Sequence, residues 1–90
     1  MNAENYLQTN SSEDHVTNEL VALLSKRLKT TVQPEQELFT EGLINSMFAL
    51  ELVVQIETQF DIEVEGRDLD MENFRSVNAM ASLVNRLIEK

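Results

Sequence analysis

Ser46 is the residue in this chain whose position suggests chemistry. It follows a glycine-containing loop and opens a strongly apolar stretch that ends at Phe60. A serine hydroxyl is a weak nucleophile unless a base activates it, and we expect the only histidine, His15, on the solvent face of another helix. The chain has no cysteine. We therefore interpret Ser46 as an acceptor that another enzyme modifies, and we predict no catalytic residue in the chain itself.

Composition limits the class of protein. Ninety residues make one small domain, and 42% hydrophobic content with two glycines and one proline favours an all-α fold. Without cysteine, a zinc site built on thiolates is excluded, and we predict no metal site. No apolar run approaches the ~20 residues of a membrane helix, and the N-terminus lacks the pattern of a signal peptide. We expect a cytoplasmic protein without membrane insertion.

The charge distribution predicts the kind of partner. The formal net charge of -9 argues against nucleic acid, whose phosphates are bound by clustered Lys and Arg. Residues 41–72 contain nine acidic side chains and one base, Arg67. Such a field is suited to basic protein partners, although the same pattern also describes an ordinary solvated surface.

Apolar spacing predicts the first helix and what precedes it. Residues 1–10 are polar and show no periodicity, so we predict a flexible N-terminal tail, with residues 11–90 as the folded domain. Ser11 and Ser12 are suited to capping a helix that closes with basic residues. Its buried stripe is predicted to be Val16, Leu20, Leu23, Leu24 and Leu28.

A long first loop, residues 30–45, would then deliver Ser46 at a fixed position. A loop of this length in a small domain needs its own side chains to hold it. The candidates are Leu38, Phe39, Leu43 and Ile44, and Gly42 is expected to supply a backbone angle that a β-carbon would resist.

The second helix, residues 46–60, carries more apolar residues than one buried face can use. We assign the inward stripe to Leu52, Val53, Ile56 and Phe60. The remaining apolar residues form a second row edged by carboxylates, which predicts a protein-docking surface. This surface comprises Asn45, Met47, Phe48, Leu50, Glu51, Val54 and Glu57.

The last third of the chain predicts one short helix and one long helix. Residues 61–75 are acidic and irregular, with a short helix near residues 68–72 and Phe74 as the core anchor. Ser76 would cap the last helix. Its inward residues are predicted to be Val77, Met80, Ala81, Val84, Leu87 and Ile88. The predicted fold is therefore a small all-α four-helix bundle, with three main helices, one short helix and a long first loop.

The run Gly42-Leu43-Ile44-Asn45-Ser46-Met47 resembles the attachment motif of acyl carrier proteins, which is a Gly, two or so variable or apolar residues, then Asp-Ser-Leu or Asp-Ser-Met. The resemblance extends from about Val16 to Leu87 and implies the acyl-carrier type of bundle. It implies that Ser46 receives 4'-phosphopantetheine covalently from coenzyme A. The thiol of that arm would hold an acyl or aminoacyl group as a thioester. Asn45 departs from the family's usual Asp, which keeps the capping ability but leaves open which transferase acts.

The resemblance also implies the partners of a non-catalytic, monomeric carrier. These are a phosphopantetheinyl transferase, a loading ligase, and a downstream transferase, dehydrogenase or synthase. Residues 68–77 are similar to free-standing carriers dedicated to one building block, namely D-alanyl carriers and modified-malonyl carriers. Our main hypothesis is a carrier for polyketide, nonribosomal peptide or antibiotic biosynthesis in secondary metabolism, and the alternative is a D-alanyl carrier of cell-wall modification.

A rival of another class is a calcium-binding protein. Residues 61–72 have the length of an EF-hand loop, with Asp61 at position one, Gly66 at position six and Glu72 at position twelve. The match is partial, because Glu occupies positions three and five and Asp68 occupies the usual aliphatic position eight. The simpler interpretation of this segment is an acidic connector.

Overall fold

The computed structural model describes residues 11–89, with side chains described from His15 onward. The predicted tail, residues 1–10, and the capping side chains of Ser11 and Ser12 lie outside the described residues. The described part contains three α-helices and two short 3₁₀ turns, and no strand. The helices are α1 (Ser11–Leu28), α2 (Ser46–Phe60) and α3 (Val77–Ile88), and the turns are η1 (Gly66–Asp68) and η2 (Met71–Phe74).

Helix α1 buries the predicted stripe against α3. Val16, Leu20 and Leu24 are buried, while Leu23 and Leu28 pack against the core at its edge. Lys29 follows the helix with a φ of 59°, a left-handed conformation that ends the helical backbone. No helix within residues 11–89 is both long enough and apolar enough to span a membrane.

Buried apolar side chains and backbone hydrogen bonds both fix the first loop, residues 30–45, to the rest of the domain. Leu38 is fully buried and Ile44 nearly so, as predicted, and Val32 adds a buried side chain that the spacing did not indicate. The backbone N–H of Leu38 donates to the Arg75 carbonyl at 2.8 Å. A further bond of 2.9 Å runs from the Asn78 N–H to the carbonyl of Pro34. The loop is therefore fixed to the segment that enters α3.

Helix α2 uses a narrower buried face than its apolar content suggests. Leu52 and Ile56 are fully buried and Ala49 is 8% exposed. Val53 and Phe60, predicted as core, are only partly buried. The reason is geometric: residues 49, 52 and 56 follow one line on a helix, and their neighbours lie at the edges of the contact.

The segment between α2 and α3 differs from the single short helix expected near residues 68–72. Two capped turns replace it. The Asp68 side chain accepts a hydrogen bond of 3.0 Å from the Glu65 N–H, and the Asp70 side chain accepts one of 2.9 Å from the Glu72 N–H. Because each carboxylate satisfies a free amide locally, each starts or closes its own turn. Phe74 is buried as predicted.

Helix α3 begins where the sequence predicts. The buried Ser76 hydroxyl accepts a hydrogen bond of 3.1 Å from the Ala79 N–H. Leu83 is fully buried, although the predicted stripe omits it, whereas Ile88 is 50% exposed because it lies in the last turn beyond the core. The buried side chains of all three helices, the first loop and η2 form one core.

Candidate functional site

Ser46 is the first residue of α2 and is exposed to solvent. The helix cap is made by its neighbour: Asn45 has an extended backbone, and its side-chain oxygen accepts a hydrogen bond of 2.9 Å from the Phe48 N–H. This bond satisfies one of the amides that a helix leaves free at its start. The Ser46 hydroxyl is therefore not needed for capping.

The end of the first loop positions Ser46 from the core side. The Leu43 and Ile44 N–H groups both donate to the Leu38 carbonyl, at 2.9 and 3.3 Å. Gly42 has a φ of 76°, the left-handed conformation that glycine adopts without strain. Since Leu38 and Ile44 are both buried, Ser46 stands two residues beyond an anchored point.

An exposed apolar row runs along α2 from the residue after Ser46. Met47 is 72% exposed, Leu50 58% and Val54 62%. Their spacing of three and four residues places them on one side of the helix. The row has the exposure that the predicted docking surface requires, and its use in docking stays a prediction.

A mostly apolar groove of about 150 Å³ opens beside Ser46. One wall is α2, with Ala49, Leu50 and Val53, and the other is formed by residues around η2. The residues of this second wall are Leu69, Asp70, Met71 and Phe74. The sequence prediction did not include Leu69 or Met71. The available signal was that both are large apolar side chains within an acidic segment.

Arg27 joins α1 to one face of α2. Its guanidinium donates to the Gln55 side chain and, at 3.0 Å, to the Glu51 carboxylate. The same group lies 4.9 Å from the centre of the Phe48 ring, within cation–π distance. The sequence indicated only that Arg27 complements the end of α1. Phe48 and Glu51, both predicted as docking residues, are thus in contact with this side chain.

Glu57, the other predicted docking carboxylate, also has a partner within the chain. Its Oε2 accepts a hydrogen bond of 2.8 Å from the Val64 N–H. Glu57 is partly buried, and this hydrogen bond links the end of α2 to the segment that follows it. The part of Glu57 in docking stays a prediction.

His15 is distant from Ser46. It is exposed, pairs with Glu19 at 3.3 Å and shares a shallow depression with Gln59. Gln59 lies near the opposite end of α2 from Ser46, about 20 Å along the helix at 1.5 Å per residue. The structure therefore does not pair this imidazole with the serine hydroxyl.

The calcium-binding alternative gains no support. Among the residues that the structure describes, no three His, Asp or Glu side chains are grouped so that they could hold a metal ion. Within residues 61–72, Asp68 and Asp70 accept backbone hydrogen bonds and Glu72 lies 3.4 Å from Arg75.

The family model for the phosphopantetheine attachment site matches residues 18–84. The chain belongs to this family of carrier proteins. The resemblance to acyl carrier proteins is thereby confirmed, and the group that this family carries is covalent 4'-phosphopantetheine.

Three similar proteins align with this chain over different lengths. The D-alanyl carrier protein of Staphylococcus saprophyticus is 31% identical over 72 residues, covering 77% of this chain and 92% of the relative. The D-alanyl carrier protein of Lactococcus lactis subsp. cremoris is 36% identical over 50 residues, covering 56% of this chain and 63% of the relative. The match therefore spans less than two thirds of the Lactococcus protein. Aminoacyl carrier protein 2 of Bradyrhizobium diazoefficiens is 36% identical over 62 residues, covering 69% of this chain and 68% of the relative.

Proposed function

We propose that Ser46 is the attachment residue and that the chain carries a small aminoacyl group, of the D-alanyl class, as a thioester on its 4'-phosphopantetheine. The observation that carries this proposal is that two different residues at the start of α2 cap the helix and offer the hydroxyl. Asn45 makes the cap, so the adjacent exposed Ser46 hydroxyl can become a phosphodiester without loss of the bond that begins the helix.

The residues around Ser46 fit the group. The hydroxyl is exposed at a helix start, where backbone amides favour a phosphoryl group. The adjacent groove is lined mainly by apolar side chains, which suits an uncharged arm lying against the protein. When bound, the group supplies the thiol that this cysteine-free chain lacks.

The groove beside Ser46 measures about 150 Å³ and is open to solvent, so it offers a small contact surface next to the attachment residue. The similar proteins described above are D-alanyl and aminoacyl carrier proteins, which favours a small aminoacyl cargo over a polyketide or nonribosomal peptide pathway.

The chain acts through partners and has no catalytic role of its own in this proposal. A phosphopantetheinyl transferase supplies the base and the metal for attachment, because a free serine hydroxyl is a poor nucleophile and the one histidine of the sequence, His15, lies on α1. A ligase then loads the cargo, and a downstream transferase removes it. The carrier works as a monomer, and the Met47, Leu50 and Val54 row is the surface that these partners contact.

Intact-mass measurement tests the attachment residue. Incubation with coenzyme A and a broad-specificity transferase should add the mass of one phosphopantetheinyl group. Ser46→Ala should abolish the gain, whereas Ser82→Ala, which changes an exposed serine on α3, should leave it intact. Absence of the gain in the wild type, or its persistence in Ser46→Ala, would contradict the proposal.

Loading tests the cargo separately. The modified protein, supplied with ATP and a D-alanine-activating ligase, should gain one alanyl group that hydroxylamine releases, as expected for a thioester. L-Alanine with the same ligase and a malonyl-transferring enzyme with malonyl-coenzyme A are the comparisons. Efficient acceptance of malonyl together with no D-alanyl loading would favour the secondary-metabolism hypothesis.

A further inference from the structure

Arg27 contacts three residues of α2 that share one side of the helix. The contacts are the Phe48 ring, the Glu51 carboxylate and the Gln55 amide, spaced by three and four residues. A guanidinium can do this because its donors form a planar fork that can also lie over an aromatic ring. The Arg27 side chain is 30% exposed, so the arrangement sits at the edge of the docking helix, open to an approaching protein.

This arrangement changes the charge that α2 presents. The helix has two carboxylates, Glu51 and Glu57. Glu51 is paired with Arg27, and Glu57 accepts the Val64 N–H. The apolar row of Met47, Leu50 and Val54 is therefore edged by an acid, Glu51, that already has an ion-pair partner within the chain. A basic group on a partner can pair with Glu51 only by competing with Arg27.

We propose that Arg27 is a specificity-determining residue, which weakens docking by basic partner surfaces because it occupies Glu51. The inference rests on the proposed function, in which the transferase contacts α2. The partner chemistry follows from the net charge of -9, which attracts cationic surfaces over distances where no specific contact is made. Arg27 thus limits how strongly a basic partner surface can bind to Glu51 on α2.

The test measures KM and kcat of the whole chain for modification by a broad-specificity transferase, at low and at physiological salt. Arg27→Gln should lower KM by about threefold at low salt with little change in kcat, because it frees Glu51 for the partner. Lys26→Gln is the matched control, since it removes one exposed charge from the same helical turn. The gain of Arg27→Gln over Lys26→Gln should disappear when Glu51→Gln is present in both.

Arg27→Lys gives the complementary result. Lysine keeps the charge but lacks the fork, so its KM should fall between those of the wild type and Arg27→Gln. A purely structural role of Arg27 would produce the opposite change, a higher KM in Arg27→Gln together with a lower melting temperature. That result, or a KM equal to that of Lys26→Gln, would overturn the inference while the wild type is still modified. A wild type that gains no mass would overturn the proposed function and this inference with it.

Discussion

The Asn45 side chain accepts the Phe48 N–H at 2.9 Å, and this bond starts the helix that carries Ser46. Replacing Asn45 with Ala removes the acceptor and should lower the free energy of unfolding by about 0.5–2 kcal/mol. Urea denaturation followed by circular dichroism measures the change. An alanine variant as stable as the wild type would show that the cap contributes nothing.

Asn45→Asp tests the departure from the family's usual residue. Aspartate keeps the acceptor and adds a negative charge at the start of α2, so stability should be equal to that of the wild type or up to about 1 kcal/mol greater. Modification by a transferase adapted to Asp-Ser motifs should become faster. An unchanged rate would indicate that the transferase does not respond to this charge, and a lower rate would contradict the prediction.

The two faces of α2 should respond differently to truncation. Leu52 is fully buried, and Leu52→Ala should cost about 2–5 kcal/mol of unfolding free energy through lost contacts and a cavity. Leu50 is 58% exposed, and Leu50→Ala should change stability by about 0.5 kcal/mol or less. The same urea experiment compares them, and a similar cost for both would contradict the assignment of faces.

The exposed row should matter for partners more than for stability. Leu50→Lys places a charge where apolar contact is expected, so KM for the transferase should rise on the order of tenfold with no loss of helicity. Ile88→Lys is the control, because Ile88 is an exposed apolar residue at the far end of α3. An equal effect of the two substitutions would argue against a specific docking row.

Arg75 should contribute little to stability despite its ion pairs. It lies 2.5 Å from Glu37 and 3.4 Å from Glu72, but its side chain is 47% exposed and water screens these charges. Arg75→Gln should therefore lower the free energy of unfolding by about 1 kcal/mol or less, and added salt should reduce the difference. The first loop keeps its backbone bond from Leu38 to residue 75 in this variant. A larger loss would mean that the ion pairs hold the loop.

Local patterns predicted the helices, because capping residues and apolar spacing act over a few positions. The starts of α2 and α3 and the burial of Leu52, Ile56 and Phe74 follow from such patterns. The same reasoning could not find the paired turns η1 and η2. Their boundaries depend on which backbone amide donates to each carboxylate. For Asp68 and Asp70, several nearby amides were compatible with the sequence.

The candidate site was predictable where it depends on sequence neighbours and not where distant segments meet. The position of Ser46 after a Gly-containing loop is a local feature. The groove wall from Leu69 and Met71 requires the turns to fold back beside α2. The contacts of Arg27 with Glu51 and Gln55 join residues more than twenty positions apart. Apolar periodicity predicts which face of a helix is buried, and it does not predict such a pair.

Helix α2 begins at Ser46, and its first amides point out of the end of the helix. A phosphodiester on Ser46 would place a permanent negative charge at the positive end of the helix dipole, next to a neutral Asn45 that does not repel it. Modification would then stabilise the fold by about 0.3–1 kcal/mol at low ionic strength. The melting temperature would then rise on modification, and the unmodified copy would be the form that unfolds more readily.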